Sequence, residues 1–213
     1  MQHSKRTTTQ GFLLAVLCVV FTANANAASS KRIQQSIDAT DLSHIDFEIS
    51  VAEVEIEVYD GDTVEVDIEL RAKRSWWIFG RGDVDNVDLT VRQDNDGLEL
   101  ILDEDDVEQD WRVRLPAHMA VGFELGVGEI DIDGFNNNLV LELGVGAVRV
   151  AVTDEDYDQI RLATGVGDSS IRGFSNGSDN ERNFVGADSY YRGEGSYEIE
   201  IEVGVGDASV IRP

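Results

Sequence analysis

The chain has 213 residues, of which 42 are acidic and 17 are basic, so its formal net charge is −25. Hydrophobic residues make up 42% of the chain, which is enough for a packed core and excludes wholesale disorder. Nucleic acid is disfavoured as a partner, because that kind of binding depends on Lys and Arg at the phosphates. We therefore expect a single folded domain that does not bind nucleic acid.

The first residues have the layout of a cleavable export signal. Lys5 and Arg6 precede an apolar run over residues 11–21, and small residues end the segment at Ala25-Asn26-Ala27. This order predicts a signal peptide over residues 1–27, cleaved after Ala27 or, as the alternative, after Ala25. A membrane span needs about 20 apolar residues, so the run is too short for a retained anchor. We expect a periplasmic or secreted mature protein without a transmembrane segment.

Removal of the signal leaves a chain without cysteine. The single cysteine, Cys18, lies inside the apolar run of the predicted signal. The mature protein therefore has neither a disulfide framework nor a cysteine nucleophile. We divide the mature chain into an N-terminal lead-in over residues 28–44 and one domain over residues 45–213.

From Asp46 onward, apolar and acidic residues alternate with a period of two. The clearest examples lie at residues 54–58, 64–70, 130–133 and 199–203. Successive side chains of a strand point to opposite faces, so these segments are predicted to be β-strands with one buried face and one acidic face. Turn signals separate the strands at residues 60–61, 94–97 and 136–138. The chain is predicted to be all-β.

A Gly-Val-Gly triplet recurs along the second half of the chain. It begins at Gly126, Gly144, Gly165 and Gly204, and a degenerate copy lies near Val185-Gly186-Ala187-Asp188. A period of about 20 residues on alternating strands is typical of stacked repeats, in which each repeat buries its face against its neighbours. We therefore predict a single-domain β-solenoid, a β-helix-like stack of rungs of about 20 residues.

Each triplet coincides with a change of phase in the alternation. Around the first one, the apolar positions pass from Phe123, Leu125 and Val127 to Ile130 and Ile132. A strand can change phase only at a bulge or corner, where glycine adopts the required conformation without strain. We expect corners, with the central valine inward, at the eight glycines Gly126, Gly128, Gly144, Gly146, Gly165, Gly167, Gly204 and Gly206.

The same change of phase occurs without glycine at Ser50-Val51-Ala52, which we interpret as a diverged first rung. Stacking in register and in chain order makes three neighbour predictions. Glu124 should lie beside Glu142, Asp131 should lie beside Arg149, and one outward column should hold Glu129, Ala147, Asp168 and then Asp207.

The sequence offers little catalytic chemistry. The triplets lead into strands rather than helices, so they do not form phosphate-binding loops. His44 and His118 are the only histidines after the predicted signal, and neither a zinc-binding spacing nor a Gly-x-Ser-x-Gly motif is present. We predict no enzyme activity, no catalytic residues and no cofactor or metal. Calcium is a weak alternative, with Glu124 and Glu142 or residues 103–106 as its carboxylate ligands.

One segment combines aromatic and basic residues in an otherwise acidic chain. It contains the candidate partner-contact residues Arg74, Trp76, Trp77 and Phe79. Aromatic and arginine side chains are enriched at binding hot spots, and exposed apolar patches mark contact sites. Two interpretations stay open: a hydrophobic plug that covers the first rungs, and a contact site for a partner or envelope surface.

The signal peptide, the acidic alternating strands, the Leu115-Pro116 step and the run over residues 126–134 together resemble the bacterial "putative adhesin" domain family, which is related to the toast-rack envelope domains. The resemblance covers roughly residues 45–211 and implies a β-solenoid fold with no catalytic residues. The chain departs from the family pattern in an insertion over residues 174–196.

This resemblance implies a non-enzymatic exported envelope protein that presents its surface for adhesion, scaffolding or sensing. The expected partners are an envelope protein, a polysaccharide, or a second copy stacked on an open end. The alternative is a protein that binds or acts on polysaccharide along the solenoid flank.

Overall fold

The computed structural model describes residues 30–72, 84–175, 179–182 and 186–213. Within these residues the chain forms thirteen β-strands and no helix. The strands are β1 (Ser30–Asp38), β2 (His44–Tyr59), β3 (Thr63–Ala72), β4 (Thr90–Gln93), β5 (Gly97–Leu102), β6 (Val107–Pro116), β7 (Ala120–Phe135), β8 (Leu139–Val152), β9 (Tyr157–Val166), β10 (Ser169–Arg172), β11 (Asp179–Arg182), β12 (Ala187–Arg192) and β13 (Tyr197–Ile211).

All thirteen strands join one open sheet. Its centre is a run of five parallel strands in the order β2, β7, β8, β13 and β9. The first four are 14 to 16 residues long, and near the middle of each the pattern of buried side chains changes phase, at a position that we call the corner. The alternation of apolar and acidic residues therefore predicted the strand content of the chain correctly.

The corner divides each long strand into a first leg and a second leg. Beside the first legs, β5 and β4 continue the sheet from β2, and β12 and β11 continue it from β9. Beside the second legs, β6, β3 and β1 continue it from β2, and β10 pairs with β13. Buried side chains of both legs belong to one hydrophobic core.

The parallel register places buried side chains in columns that cross the strands. One column joins Phe47, Phe123, Leu141, Ile201 and Leu162 on five successive strands. The rings of Phe47 and Phe123 stack with their centroids 4.8 Å apart. Such columns bury the apolar face of each strand against its neighbours, which is the main source of stability in stacked strands.

The first glycine of each triplet is required by the close approach of the neighbouring strand. A Cβ atom at Gly126 would lie 2.5 Å from the backbone oxygen of Ser50, and one at Gly144 would lie 2.5 Å from that of Gly126. The second glycine is required by its own backbone as well. Gly128 and Gly146, for example, have φ of 154° and 146°, which L-residues rarely adopt. These findings explain why the corners need glycine.

Strand β2 turns the same corner with Ser50 and Ala52, and Val51 is in register with Val127. A Cβ atom placed on any of the triplet glycines would point toward the neighbouring strand on the β2 side. On that side of β2, β5 pairs only as far as Ile49 and β6 pairs only from Glu53. Because no strand of the described residues pairs with the corner from this side, β2 tolerates side chains there. The phase change without glycine is thus explained.

The expected inward orientation of the central valines is wrong. In the first triplet, Leu125 is buried and the next buried side chain is Ile130, whereas Val127 is 47% exposed. Two consecutive residues, Gly126 and Val127, face outward, and this pair absorbs the change of phase. The central valine consequently lies on the outside of the corner.

Stacking in chain order is also wrong. Strand β13 lies between β8 and β9, so Asp207 neighbours Ala147 in the outward column and precedes Asp168. The backbone N–H of Asp168 donates to Asp207 Oδ1 at 2.9 Å.

The degenerate copy of the triplet near Ala187 is not a further parallel repeat, because β12 runs antiparallel to β9. Thr164 Oγ1 holds the two strands together by bonding the backbone of Ala187 in both directions.

The lead-in contributes a strand of its own. Strand β1 pairs antiparallel with β3 along its whole length, from Ser30 opposite Arg71 to Asp38 opposite Thr63. After it, Ala39 and Leu42 are buried in the core. The predicted signal peptide lies outside the described residues. In the described part of the chain, no helix has the length and apolarity needed to cross a membrane.

Candidate binding surface at the sheet corner

A column of exposed valines runs along the outside of the corner. It consists of Val127, Val145, Val205 and Val166 on the adjacent strands β7, β8, β13 and β9, each in register with the next. Their exposed fractions are 46–49%, which is high for a branched apolar residue in the middle of a strand. We call these four residues the valine column.

The side chains beside the valine column are absent, because both flanking positions of each valine are glycine. In addition to admitting the neighbouring strand, the glycines leave the valine methyl groups unobstructed on both sides. Neighbouring strands are about 4.8 Å apart, so the column spans about 14 Å across the sheet. The corner therefore presents a narrow apolar strip.

Two rows of outward residues flank this strip, and both are acidic. On the first legs, Glu48, Glu124, Glu142 and Glu202 follow one another on β2, β7, β8 and β13. On the second legs, the row is Glu53, Glu129, Ala147 and Asp207. The predicted neighbour relation of Glu124 and Glu142 is confirmed. Like charges on directly adjacent strands repel, so this arrangement costs stability unless something relieves it.

A groove of about 730 Å³ follows the first-leg row. The four glutamates of that row line it together with the first glycines of the triplets. Asp103, from the segment between β5 and β6, adds a fifth carboxylate to the lining. The groove therefore carries a row of carboxylates beside the valine column.

Away from the corner, the outer face is largely charge-compensated. Arg149 Nη1 lies 2.5 Å from Asp131 Oδ1 and 3.2 Å from Asp133 Oδ1. These contacts confirm the predicted Asp131–Arg149 pair, and the hydrogen bond that Arg149 donates to the Asp131 carboxylate raises the pKa of Arg149. Arg112 and Arg114 lie within 4.0 Å of Glu55 and Glu57 in the same way, beside a second groove of about 560 Å³.

The two rows at the corner contain no basic residue of their own. Among the described residues, Glu202 is the member of these rows that lies within 4.0 Å of a basic side chain: Arg161 Nη1 is 3.4 Å from Glu202 Oε1 and 2.5 Å from Glu200 Oε1. In this part of the chain, acidic residues further from the corner pair with arginines such as Arg149 and Arg161, whereas most carboxylates of the two rows beside the valine column have no such pair.

The residues considered for chemistry do not converge. His44 lies near Asp46, with 3.9 Å between Nε2 and Oδ2, and His118 Nε2 donates to the backbone oxygen of Ala39 at 3.1 Å. Among the described residues, no three His, Cys, Asp or Glu side chains group so as to hold a metal ion. Glu124 and Glu142 are adjacent, but in the described part of the chain the other carboxylates along the groove do not group with them closely enough to hold a metal ion. Calcium at this pair is therefore not supported by the geometry.

The acidic turn at residues 94–97 has a structural role. Asp94 Oδ1 accepts the backbone N–H of Gly97 at 2.9 Å, and the turn joins β4 and β5 into an antiparallel hairpin.

The candidate partner-contact residues Arg74, Trp76, Trp77 and Phe79 lie outside the described residues. Their two interpretations, plug or contact site, both stay predictions.

The valine column was missed because the alternation is ambiguous at the triplets. Counting forward from Leu125 places Val127 inward, while counting back from Ile130 places it outward. The exposure of Val127 in the structure decides between them. The signal available in the sequence is the uniform occurrence of valine between the two glycines of every triplet.

Comparisons with known proteins give a likeness of fold. No family model matches the sequence, and no curated protein matches it. The fold is similar to that of a putative cell adhesion protein from Clostridium sporogenes, with a TM-score of 0.52 and 13% identity, over 86% of this chain and 100% of that chain. A putative adhesin from Bacteroides fragilis aligns with a TM-score of 0.37 and 14% identity, over 85% of this chain and 97% of that chain.

At this identity the first likeness concerns architecture alone. The chain therefore shares its overall fold with the Clostridium sporogenes structure.

Proposed function

We propose that the mature chain is an exported, non-enzymatic β-solenoid that presents its outer face to a partner in the bacterial envelope, as an adhesion, scaffolding or sensing domain. The observation that carries this proposal is the in-register run of five parallel strands, whose outward positions form uninterrupted columns beside an exposed apolar strip. Repeated columns of this kind form extended binding surfaces in stacked-repeat proteins.

Two further observations support it. The fold is similar to that of a protein named for cell adhesion in Clostridium sporogenes. In the described part of the chain, the histidines and carboxylates that could do acid–base or metal chemistry are dispersed. A role in binding rather than catalysis is consistent with both.

The alternative function, binding or cleavage of polysaccharide along the flank, has weaker support. Sugar rings commonly pack on exposed aromatic side chains, yet among the described residues the outward positions of β2, β7, β8, β13 and β9 hold one aromatic side chain, Tyr59, which is half-buried beneath the guanidinium group of Arg114. The acidic groove offers carboxylates, but nothing in its geometry sets two of them apart as an acid–base pair.

Binding to fractionated envelope tests the proposal. Labelled protein spanning residues 28–213 is incubated with untreated bacterial envelope and with envelope that has been treated with protease. The reducing sugar ends released into solution are measured in parallel. We expect the protein to be retained on the untreated envelope, to be lost from the protease-treated envelope, and to release no reducing sugar ends.

Retention that survives protease would favour the polysaccharide alternative, and release of sugar ends would contradict the non-enzymatic role. No retention on any fraction would overturn the proposal. A Trp76→Ala/Trp77→Ala variant in the same assay decides the role of the aromatic segment, because equal retention removes it as a contact site. Export itself is tested by sequencing the N-terminus of the protein recovered outside the cytoplasm, which we expect to begin at Ala28.

A further inference from the structure

The valine column is exposed for no reason that the fold supplies. Both glycines of each triplet are required by the approach of the neighbouring strand, and the second is required by its own φ as well, but the outward position between them needs no apolar side chain. Elsewhere on the same strands, outward positions are mostly acidic or basic. Four half-exposed valines aligned on adjacent strands therefore call for an explanation outside the stack.

We propose that the valine column and its two acidic rows form a docking site for a basic amphipathic segment of another polypeptide, with an apolar stripe flanked on both sides by Lys or Arg. This inference rests on the proposed function, which it makes more specific by naming the chemistry of the partner. The site and such a segment are complementary in charge, in shape and in length.

Charge selects this occupant over two others. The rows with Glu124 and Glu129 place carboxylates on both sides of the apolar strip, and basic side chains on both edges of a partner segment match them. A second copy of this chain would bring the same acidic rows against them, and a negatively charged lipid surface would be repelled likewise.

Length and spacing fit a short helix laid across the strands. The valines recur about every 4.8 Å, close to the rise of about 5.4 Å for one helical turn. A helix of about three turns therefore places one apolar residue per turn against Val127, Val145, Val205 and Val166 in succession. Its basic residues on one side then lie over the glutamate-lined groove of about 730 Å³.

The absence of side chains beside the valines makes this contact sterically simple. Gly126 and Gly144 line the groove next to the glutamates, so a lysine stem can lie over their backbone while its ammonium group reaches Glu124 or Glu142. A bound ammonium group also relieves the repulsion between neighbouring carboxylates, which strengthens binding. The attraction and the relief of repulsion both weaken as the salt concentration increases.

Binding of designed peptides tests the site. The probe is a labelled 18-residue peptide of Leu and Lys whose leucines form one helical stripe, and fluorescence anisotropy reports its binding to protein spanning residues 28–213. A peptide of the same composition with the order scrambled, and one with Glu in place of Lys, are the matched probes. We expect the amphipathic basic peptide to bind at least about tenfold more tightly than either.

Two protein variants locate the site. Val127→Thr/Val145→Thr/Val205→Thr keeps branched side chains on the strands and removes apolar surface, so we expect at least about tenfold weaker binding. Val140 is 55% exposed on β8 but lies outside the column, so Val140→Thr is the matched control and should change the affinity by less than about twofold. Circular dichroism confirms that each variant is folded.

The charge arm of the test is independent of the valines. Glu124→Gln/Glu142→Gln/Glu202→Gln should weaken peptide binding about tenfold and flatten its dependence on salt, whereas Asp60→Asn/Asp62→Asn in the β2–β3 turn should do neither. The site is overturned if the valine and glutamate variants bind like the wild type, or if the scrambled peptide binds equally well.

Self-association that the valine variant abolishes would also overturn the proposal, because it would make a second copy the occupant. The outcome is separable from that of the proposed function. Envelope retention without peptide binding would reject this site and leave the adhesion role standing, whereas loss of both would reject both.

Discussion

Gly146 on β8 lies directly against Gly128 on β7, so closely that a Cβ atom on Gly146 would be 1.7 Å from the backbone oxygen of Gly128. The same relation recurs between Gly206 and Gly146, again at 1.7 Å. Each corner is therefore built on the corner beside it. A side chain in the middle of this series would have to displace a neighbouring backbone rather than a mobile side chain.

Gly146→Ala should accordingly destabilise the fold by about 3 kcal/mol, because the substitution combines an unfavourable φ with a backbone clash. Gly122→Ala is the matched control. There the new methyl group would meet only the carboxylate end of Asp46, which can rotate away, so we expect less than about 1 kcal/mol. Chemical denaturation measures both, and equal effects would show that the corner is not tightly stacked.

Gln109→Leu should cost about 1–3 kcal/mol, because it leaves buried polar groups without partners. Gln109 is 2% exposed; its Oε1 accepts Trp111 Nε1–H at 3.0 Å, and its Nε2 donates to the backbone oxygen of Glu104 at 2.9 Å. Gln93→Leu on the exposed strand β4 is the control and should change the free energy of unfolding by less than about 0.5 kcal/mol. A loss as small as the control's would mean that water satisfies the site.

Asp67 should make the fold sensitive to acid. The hydrogen bond from Arg32 lowers the pKa of Asp67 below its ordinary value of 3.8. Because the folded pKa is the lower one, ionised Asp67 stabilises the fold above the unfolded pKa, and this contribution is lost as pH falls through the folded pKa.

The free energy of unfolding should therefore fall more steeply below about pH 4 in the wild type than in Asp67→Asn. Urea titrations between about pH 6 and about pH 3 measure the difference between the two slopes. Parallel curves would mean that the Arg32–Asp67 pair is not formed in solution.

The Arg149–Asp131 pair should contribute modestly, because the two side chains are 46% and 47% exposed. A double-mutant cycle with Arg149→Ala and Asp131→Ala should give a coupling of about 0.2–1 kcal/mol that decreases with added salt. A coupling well above this range would show that the outer face is less accessible to water than these exposures indicate.

The sequence predicted the strands well, because the alternation of side chains along a strand depends on local chemistry. Alternation fixes which side chains of a strand can be buried together, and glycine at the corner reports a backbone that other residues cannot adopt. Thus the side-by-side position of Asp131 and Arg149 followed from the repeat alone and is confirmed.

The order of the strands could not be predicted, because several strands offer equivalent edges for pairing. The inward residues of β9 and β13, such as Leu162 and Ile201, offer the same apolar face to β8, so nothing local says which strand should pair with it. The structure places β13 there, and the other edge of β9 pairs antiparallel with β12. The outward valines were missed for a related reason, since the alternation alone does not show which residues at a phase change face outward.

The order of the strands at the corner is the central claim, and cysteine cross-linking tests it most directly in protein spanning residues 28–213, which has no native cysteine. Adjacent strands place Cα atoms about 4.8 Å apart, within the range of about 4.4–6.8 Å for a disulfide, whereas positions two strands apart are out of range. Val145→Cys/Val205→Cys should form an intramolecular disulfide under mild oxidation, and Val145→Cys/Val166→Cys should not. Rapid closure of the 145–166 pair, with the 145–205 pair left open, would contradict the arrangement.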